Sequence, residues 1–187
     1  MCFSDFMEII AEPLPGLLVL KPRVFGDHRG YFFESFSDAF WHQKLGKKPH
    51  FVQDNQSKSS KGVLRGLHFQ KPPVAQSKLV RVSQGSVFDV AVDLRKNSPT
   101  YGQWFGETLS EENHLQMYIP EGFGHGFLTL EDNTTFQYKC GDYYAPETEG
   151  AVLWNDPTLN IDWGISNPQL SEKDQQAPLF TNFESPF

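Results

Sequence analysis

The segment around His68 is the strongest local signal of chemically active side chains in this chain. The run from Val63 to Gln70 has the composition of a β-strand, and regular alternation would place His68 on the face opposite to Arg65. A β-bulge at Gly66 would instead bring Arg65 and His68 to the same side. An imidazole with an ordinary pKa of about 6.5 suits general acid–base catalysis at neutral pH. The alternative is a core histidine hydrogen-bonded for packing.

A second histidine, His125, lies where a turn returns into a strand, and two inward histidines in a small barrel would suggest a metal site. Catalytic zinc sites use three protein ligands. Further ligands would be expected two positions away in the strand, on the same face as each histidine. The residue two positions after His68 is Gln70, however, and the same-face neighbours of His125 are Phe123 and Phe127. The ligands are too few, so we predict no metal and favour acid–base chemistry.

Basic side chains are candidates for contacts with an anionic ligand. Guanidinium groups match the geometry of phosphate oxygens, and an ammonium supplies a point charge. Each basic residue taken singly is better explained as part of a solvated surface. The candidates are Arg29, Arg65, Lys78 and Lys173.

Phenols and one carboxylate complete the candidate groups. Tyr138, Tyr143 and Tyr144 could donate protons or provide rings on which a base stacks. Tyr138 and Tyr144 are six residues apart and would lie on one side of an unbroken strand, with ordinary core packing as the alternative. Asp174 could orient a histidine, although its spacing from Ser171 is also that of a helix-start carboxylate.

The composition limits the kind of protein that holds these groups. The chain has 187 residues, and we expect one domain, residues 1–187. A net charge of -7 argues against nucleic-acid binding. The start of the chain has no basic cluster before an apolar run, and no apolar stretch approaches the roughly 20 residues of a membrane-spanning helix. We therefore expect a cytoplasmic protein without nucleic-acid or membrane partners, in which Cys2 and Cys140 are free thiols.

Turn residues divide the chain into short strands. Helical periodicity is limited to Asp38–Leu45, with Ser37 as cap and Gly46 as stop, and to a turn after Ser171. The two alternating runs on either side of Gly85 predict a β-hairpin. The pattern predicts an all-β jelly roll of the cupin type with a few short helices. The predicted strands are residues 17–21, 30–36, 52–58, 78–83, 86–93, 104–109, 116–119, 126–130, 134–140 and 151–154.

Several motifs resemble, in their order and content, those of the dTDP-4-dehydrorhamnose 3,5-epimerase family. The resemblance extends over nearly the whole chain, which makes it more specific than any single motif. The motifs are Lys21–Ser35, Gln53–Ser57, Arg65–Gln70, the turn before His125, Gln137–Tyr144 and Leu170–Asp174.

This resemblance implies roles for the candidate residues. His68 matches the family's proton-abstracting base, Asp174 its partner carboxylate and Tyr138 its proton donor. Lys78 matches the lysine near the C4 oxygen of the substrate, where a cation stabilises an enolate. Tyr144 matches the ring that stacks on thymine. The other matching substrate-binding positions are Arg29, Glu34, Gln53, Asn55, Arg65, His125, Glu149 and Lys173.

The resemblance also implies a reaction. A C4 ketone acidifies the C–H bonds at C3 and C5, so a side-chain base can remove these protons without a metal or redox cofactor. The expected activity is epimerisation of dTDP-4-dehydro-6-deoxy-D-glucose at both carbons to dTDP-4-dehydro-L-rhamnose, in dTDP-L-rhamnose biosynthesis, by a homodimer. The alternatives are a mono-epimerase on a related dTDP-4-keto sugar, a carbohydrate-binding jelly roll without catalysis, and a metal-dependent cupin enzyme.

Overall fold

Short strands make up most of the regular structure in the computed structural model, which describes residues 6–45 and 50–187. The strands are β1 (Met7–Leu14), β2 (Leu17–Pro22), β3 (Phe25–Asp27), β4 (Gly30–Phe32), β5 (Gln53–Ser59), β6 (Leu64–Gln70), β7 (Lys78–Gln84), β8 (Ser86–Asp93), β9 (Trp104–Ser110), β10 (Gln116–Ile119), β11 (Phe123–Thr129), β12 (Thr134–Cys140) and β13 (Glu149–Ala151), and the helices are α1 (Asp38–Leu45) and α2 (Glu172–Gln175).

Two antiparallel sheets form the body of the fold. One has six strands in the order β1-β2-β10-β7-β12-β5, and the other has five in the order β13-β6-β11-β8-β9. Strands β3 and β4 form a separate hairpin. This arrangement confirms the prediction of an all-β jelly roll with a few short helices. Among the described residues, no helix is long and apolar enough to cross a membrane.

The main apolar core lies between the two sheets. Val80 and Phe136 of the six-stranded sheet belong to the same buried cluster as Ala91 and Phe127 of the five-stranded sheet. Helix α1 covers the outer face of the six-stranded sheet, where Trp41 is 1% exposed. The two inner faces therefore form opposite walls of one interior.

The C-terminal segment covers the outer face of the five-stranded sheet. Phe183 and Phe187 pack edge-on against Phe69 of β6. Because both faces of this sheet are covered, β8 is buried along almost its whole length. Asp89, in the middle of β8, is therefore a carboxylate inside the fold.

The predicted hairpin about Gly85 is wrong. Strand β7 lies in the six-stranded sheet and β8 in the five-stranded sheet, so the turn crosses between them. The Gly85 N–H donates to Glu111 Oε1 at 2.9 Å, and the Ser86 N–H donates to Thr134 Oγ1 at 3.3 Å. Alternation identified each run as a strand, but it carries no information about which strand is its partner.

Some predicted element bounds also differ. The strand predicted at residues 151–154 ends at Ala151, although Val152 still exchanges backbone hydrogen bonds with Leu67. The strand predicted at residues 30–36 ends at Phe32. The sequence predicts neither β1 nor β3. Helix α1 has its predicted bounds, and Gly46, the predicted stop, lies outside the described residues.

Candidate active site

A β-bulge in β6 places Arg65 and His68 beside the same cavity. His68 pairs with His125 of β11 and Arg65 pairs with Phe127, so β6 has one more residue than β11 between these pairs. Gly66 has φ +127°, and a Cβ there would lie 2.8 Å from the His125 carbonyl oxygen. Only glycine therefore fits this close approach of two backbones. The predicted bulge is confirmed, and simple alternation fails at this position.

His68 and Asp174 form a hydrogen-bonded pair. His68 Nε2 lies 2.5 Å from Asp174 Oδ1, and Asp174 is 3% exposed. The Ser171 hydroxyl donates to Asp174 Oδ2 at 2.7 Å and caps α2, and the Gly66 N–H also donates to Asp174. Burial alone would raise the pKa of Asp174, but these hydrogen bonds lower it. Asp174 is therefore an ionised acceptor that orients the imidazole.

His125 and Asp89 form a second pair that lies deeper. His125 Nε2 lies 3.0 Å from both carboxylate oxygens of Asp89. Burial lowers the pKa of His125 and raises that of Asp89, while the contact between the two opposes both shifts. Sequence reasoning missed Asp89, whose one signal is a charge within the apolar run Val87–Val92. In the described part of the chain, no three His, Cys, Asp or Glu side chains are grouped so that they could hold a metal ion.

Lys78 and Tyr138 reach the same interior from the other sheet. They lie on the adjacent strands β7 and β12, where Tyr138 pairs with Val80 and Cys140 pairs with Lys78. Burial lowers the pKa of Lys78, and the nearby Cys140 and Asp89 partly oppose this effect. Burial raises the pKa of Tyr138, so its phenol keeps its proton at neutral pH.

Two connected compartments meet at the reactive groups. We call them the Arg65 compartment, with a volume of about 460 Å³, and the Tyr144 compartment, with about 280 Å³. His68, Lys78 and Tyr138 line both. The Arg65 compartment is also lined by Ser57, His125, Phe127, Phe136, Leu170 and Asp174, and the Tyr144 compartment by Gln53, Asn55, Gln70, Gln76, Cys140 and Glu149.

A polar stripe on β5 runs past both compartments. Gln53 and Asn55 line the Tyr144 compartment, and Ser57 lines the Arg65 compartment. Ser59 Oγ accepts a hydrogen bond from Arg65 at 3.2 Å. The Ser57 hydroxyl oxygen is buried and has no partner among the described residues. Sequence reasoning missed Ser57, although the alternation of polar residues along β5 could have identified it.

Tyr144 and Glu149 both line the Tyr144 compartment and contact each other. The Tyr144 hydroxyl donates to Glu149 Oε2 at 3.0 Å, and Lys173 forms an ion pair with the same carboxylate. Burial alone would raise the pKa of Glu149, but Lys173 and Tyr144 lower it. The β12 strand ends at Cys140, so alternation along a strand is not what brings Tyr144 near Tyr138.

Arg29 and Glu34 do not line either compartment. Arg29 lies at the tip of the β3–β4 hairpin, where its 78% exposed side chain pairs with Asp27 at 2.6 Å. Glu34 follows β4 and is half-buried. The structure therefore brings together the other predicted site residues but leaves these two apart.

The fold and the cavity define a jelly roll with acid–base groups on two facing walls, and comparisons with known proteins agree with this class. Residues 11–182 match the family model described as dTDP-4-dehydrorhamnose 3,5-epimerase. The chain is 55% identical over 174 residues to the dTDP-4-dehydrorhamnose 3,5-epimerase of Salmonella typhimurium, with 92% of this chain and 95% of that protein covered.

Solved structures give the same result. The crystal structure of dTDP-4-dehydrorhamnose 3,5-epimerase from Elizabethkingia anophelis NUHP1 is similar with a TM-score of 0.90 and 50% identity, covering 95% of this chain and 98% of that one. A dTDP-6-deoxy-D-glucose-3,5-epimerase from Legionella pneumophila, in complex with dTDP-4-keto-L-rhamnose, has a TM-score of 0.90 and 49% identity, with 95% of each chain covered. The chain belongs to the dTDP-4-dehydrorhamnose 3,5-epimerase family of isomerases.

Proposed function

We propose that the protein inverts C3 and C5 of dTDP-4-dehydro-6-deoxy-D-glucose and so forms dTDP-4-dehydro-L-rhamnose for dTDP-L-rhamnose biosynthesis. The observation that carries this proposal is the position of the hydrogen-bonded pair His68–Asp174 on one wall of a cavity and of Tyr138 on the facing wall. Inversion of a carbon needs a base on one face of the sugar ring and an acid on the other.

His68 is the base. An ionised Asp174 can only accept, so Nε2 of His68 carries a proton and Nδ1 keeps a lone pair. Nδ1 removes the proton from the carbon next to the ketone, and the electrons of the broken C–H bond move into the enolate. Asp174 orients the ring and stabilises the imidazolium that forms.

Lys78 and Tyr138 complete the step from the six-stranded sheet. Lys78 donates a hydrogen bond to the C4 oxygen, and the shielded cavity strengthens its attraction to the enolate. Tyr138 returns a proton to the opposite face of the same carbon. One inversion leaves an imidazolium and a phenolate, and proton exchange with water restores both groups. Repetition at the second carbon gives the double epimer.

The two compartments suit the two parts of the substrate. The hexose occupies the Arg65 compartment, where Arg65, His125 and the unpartnered Ser57 hydroxyl face its hydroxyl groups. The nucleotide occupies the Tyr144 compartment, and Tyr144 stacks on thymine. Gln53, Asn55, Glu149 and Lys173 supply the remaining polar contacts at this end, and no metal or redox cofactor is required.

The proposal includes a homodimer in which the β3–β4 hairpin serves the neighbouring site. Tyr31 and Phe32 on this hairpin are 61% and 65% exposed, as expected for a protein-binding surface. Arg29, at the hairpin tip, then reaches the diphosphate in the partner's cavity, and Glu34 follows on the same segment. The proposal also includes one catalytic domain, residues 1–187, and a cytoplasmic location.

Mixed dimers test this arrangement. Arg29→Ala and His68→Asn homodimers are each expected to be nearly inactive. A heterodimer of the two would contain one intact site if Arg29 acts across the interface, so random mixing should restore roughly a quarter of wild-type activity. No recovery after verified subunit exchange would contradict the contribution of Arg29 in trans.

The activity itself is tested with the purified protein and dTDP-4-dehydro-6-deoxy-D-glucose in chelator-treated buffer without nicotinamide. The expected product, followed by NMR, is inverted at both C3 and C5. Inversion at one carbon would identify a mono-epimerase on this or a related dTDP-4-keto sugar. Binding without any conversion would favour a carbohydrate-binding protein and contradict the proposal.

A further inference from the structure

The segment Asp142–Ala145 carries Tyr144 but belongs to no strand or helix. Tyr143 and Tyr144 are 66% and 57% exposed, so ring packing does little to hold the segment. Its fixed shape must come mainly from hydrogen bonds to its backbone. Among the described residues, every such bond that reaches beyond residues 141–149 comes from a glutamine side chain.

Three glutamines make these bonds from three different places. Gln70 Nε2 donates to the Tyr143 carbonyl at 2.9 Å, and Gln70 Oε1 accepts from the Ala145 N–H at 3.0 Å. Gln76 Nε2 donates to the Asp142 carbonyl at 2.7 Å. Gln53 Oε1 accepts from the Tyr144 N–H at 3.2 Å. We call Gln53, Gln70 and Gln76 the glutamine clamp.

Gln70 is the central member of the clamp. It is 4% exposed, and its Nε2 also donates to the Val74 carbonyl at 2.5 Å. One amide thus joins β6, the loop after it and two residues that flank Tyr144. Only an amide supplies both a donor and an acceptor here, because a carboxylate lacks the donor and leucine lacks both.

We infer that Gln70 is a positioning residue for nucleotide binding, which acts by fixing the backbone on either side of Tyr144. This inference rests on the proposed function, in which the Tyr144 ring stacks on the thymine base. A ring that is held in place before binding loses less conformational freedom when the ligand arrives. Gln70 therefore affects affinity for the nucleotide and leaves the proton-transfer groups unaffected.

The test is a double-mutant cycle on the dissociation constant of dTDP, measured by isothermal titration calorimetry. Gln70→Leu is expected to weaken dTDP binding about five- to tenfold. Tyr144→Ala should weaken it at least as much, and the double variant should bind no more weakly than Tyr144→Ala alone. With the sugar substrate, Gln70→Leu should raise KM and leave kcat within about twofold of wild type.

A matched control and a second variant guard against loss of folding. Gln56→Leu removes an amide on the same strand as Gln53, but its exposed side chain pairs with Gln137, so dTDP binding should be unchanged. Gln76→Ala, at a half-buried position, should weaken binding about two- to threefold, again only when Tyr144 is present.

Two outcomes would overturn the inference. They are an unchanged dissociation constant in a folded Gln70→Leu variant, or in Gln76→Ala where Gln70→Leu does not fold, and effects that add fully to that of Tyr144→Ala. If Tyr144→Ala itself leaves dTDP binding unchanged, the stacking role in the proposed function fails as well. The same titrations therefore distinguish a failure of the inference about Gln70 from a failure of the stacking role proposed for Tyr144.

Discussion

Two histidine–aspartate pairs face the same cavity from neighbouring strands, and their surroundings give them different uses. His68 and His125 lie directly opposite each other on β6 and β11. The side chains of His68 and Asp174 are 29% and 4% exposed, whereas those of His125 and Asp89 are 6% and 0% exposed. Both histidines line the Arg65 compartment, but much more of the first is accessible to a ligand.

The difference shows that a hydrogen-bonded pair alone does not identify a catalytic base. Burial lowers the pKa of His125 and raises that of Asp89, so both groups are shifted towards their neutral forms. Asp174 has the opposite shift, because hydrogen bonds from His68 and Ser171 outweigh its burial. Access to the ligand and an ionised partner together distinguish His68.

The largest expected effect is on turnover. His68→Asn should lower kcat by about 10²- to 10⁴-fold, the usual contribution of a general base. The matched variant His125→Asn should keep kcat much closer to wild type and mainly raise KM, because the proposed function gives His125 only a contact with the hexose. Initial rates followed by NMR would measure both, and an equal loss of kcat in the two variants would contradict the distinction.

The next effect is on stability, where the larger loss is expected for the buried pair His125–Asp89. His125→Asn removes the imidazole that counteracts the effect of burial on Asp89, and loss of one partner of a buried pair should cost about 3 to 5 kcal/mol of unfolding free energy. Asp89→Asn removes the charge but keeps a polar side chain of similar size, so its cost should be smaller. Urea unfolding at one fixed protein concentration measures both. Equal losses would show that the buried charge is not the reason.

Asp93 extends the comparison of Asp89 and Asp174 to a buried carboxylate whose partners are not histidines. Burial alone would raise the pKa of Asp93, but hydrogen bonds from Arg95, Ser98 and Thr100 lower it to about 2. Its stabilisation is therefore fully present above the unfolded pKa of about 4 and is lost as pH falls through 2.

Asp93→Asn should accordingly cost about 2 kcal/mol at pH 7, flatten the decrease in stability between pH 4 and 2, and leave kcat unchanged. Unfolding curves measured across this pH range provide the test. An unchanged slope in the variant would show that Asp93 is not responsible for it.

Local patterns predicted most strands but not their partners. The strands Gln116–Ile119 and Thr134–Cys140 have their predicted bounds. The pairing of β7 with β10 and β12, instead of with β8, depends on contacts between residues far apart in the chain. A pattern of alternating side chains does not contain that information.

For the candidate site, too, the sequence indicated individual residues but not which of them lie together. His68 and Asp174 are 106 residues apart, and only the resemblance to a family connected them before the structure did. Asp89 and Ser57 were missed, because the charge in the apolar run of β8 and the alternation along the polar strand β5 do not show what either side chain faces. That Asp89 is a buried charge and that the Ser57 hydroxyl has no partner become evident only with the fold.

The central claim is that His68 and Tyr138 act on opposite faces of the sugar, and hydrogen exchange in heavy water tests it most directly. In the wild type, NMR should show deuterium at C3 and C5 of an inverted product. In Tyr138→Phe, His68 should still remove and return hydrogen on one face, so deuterium should enter the substrate faster than inverted product forms. His68→Asn should show neither process. Inversion at the wild-type rate in Tyr138→Phe, or exchange at the wild-type rate in His68→Asn, would contradict the account.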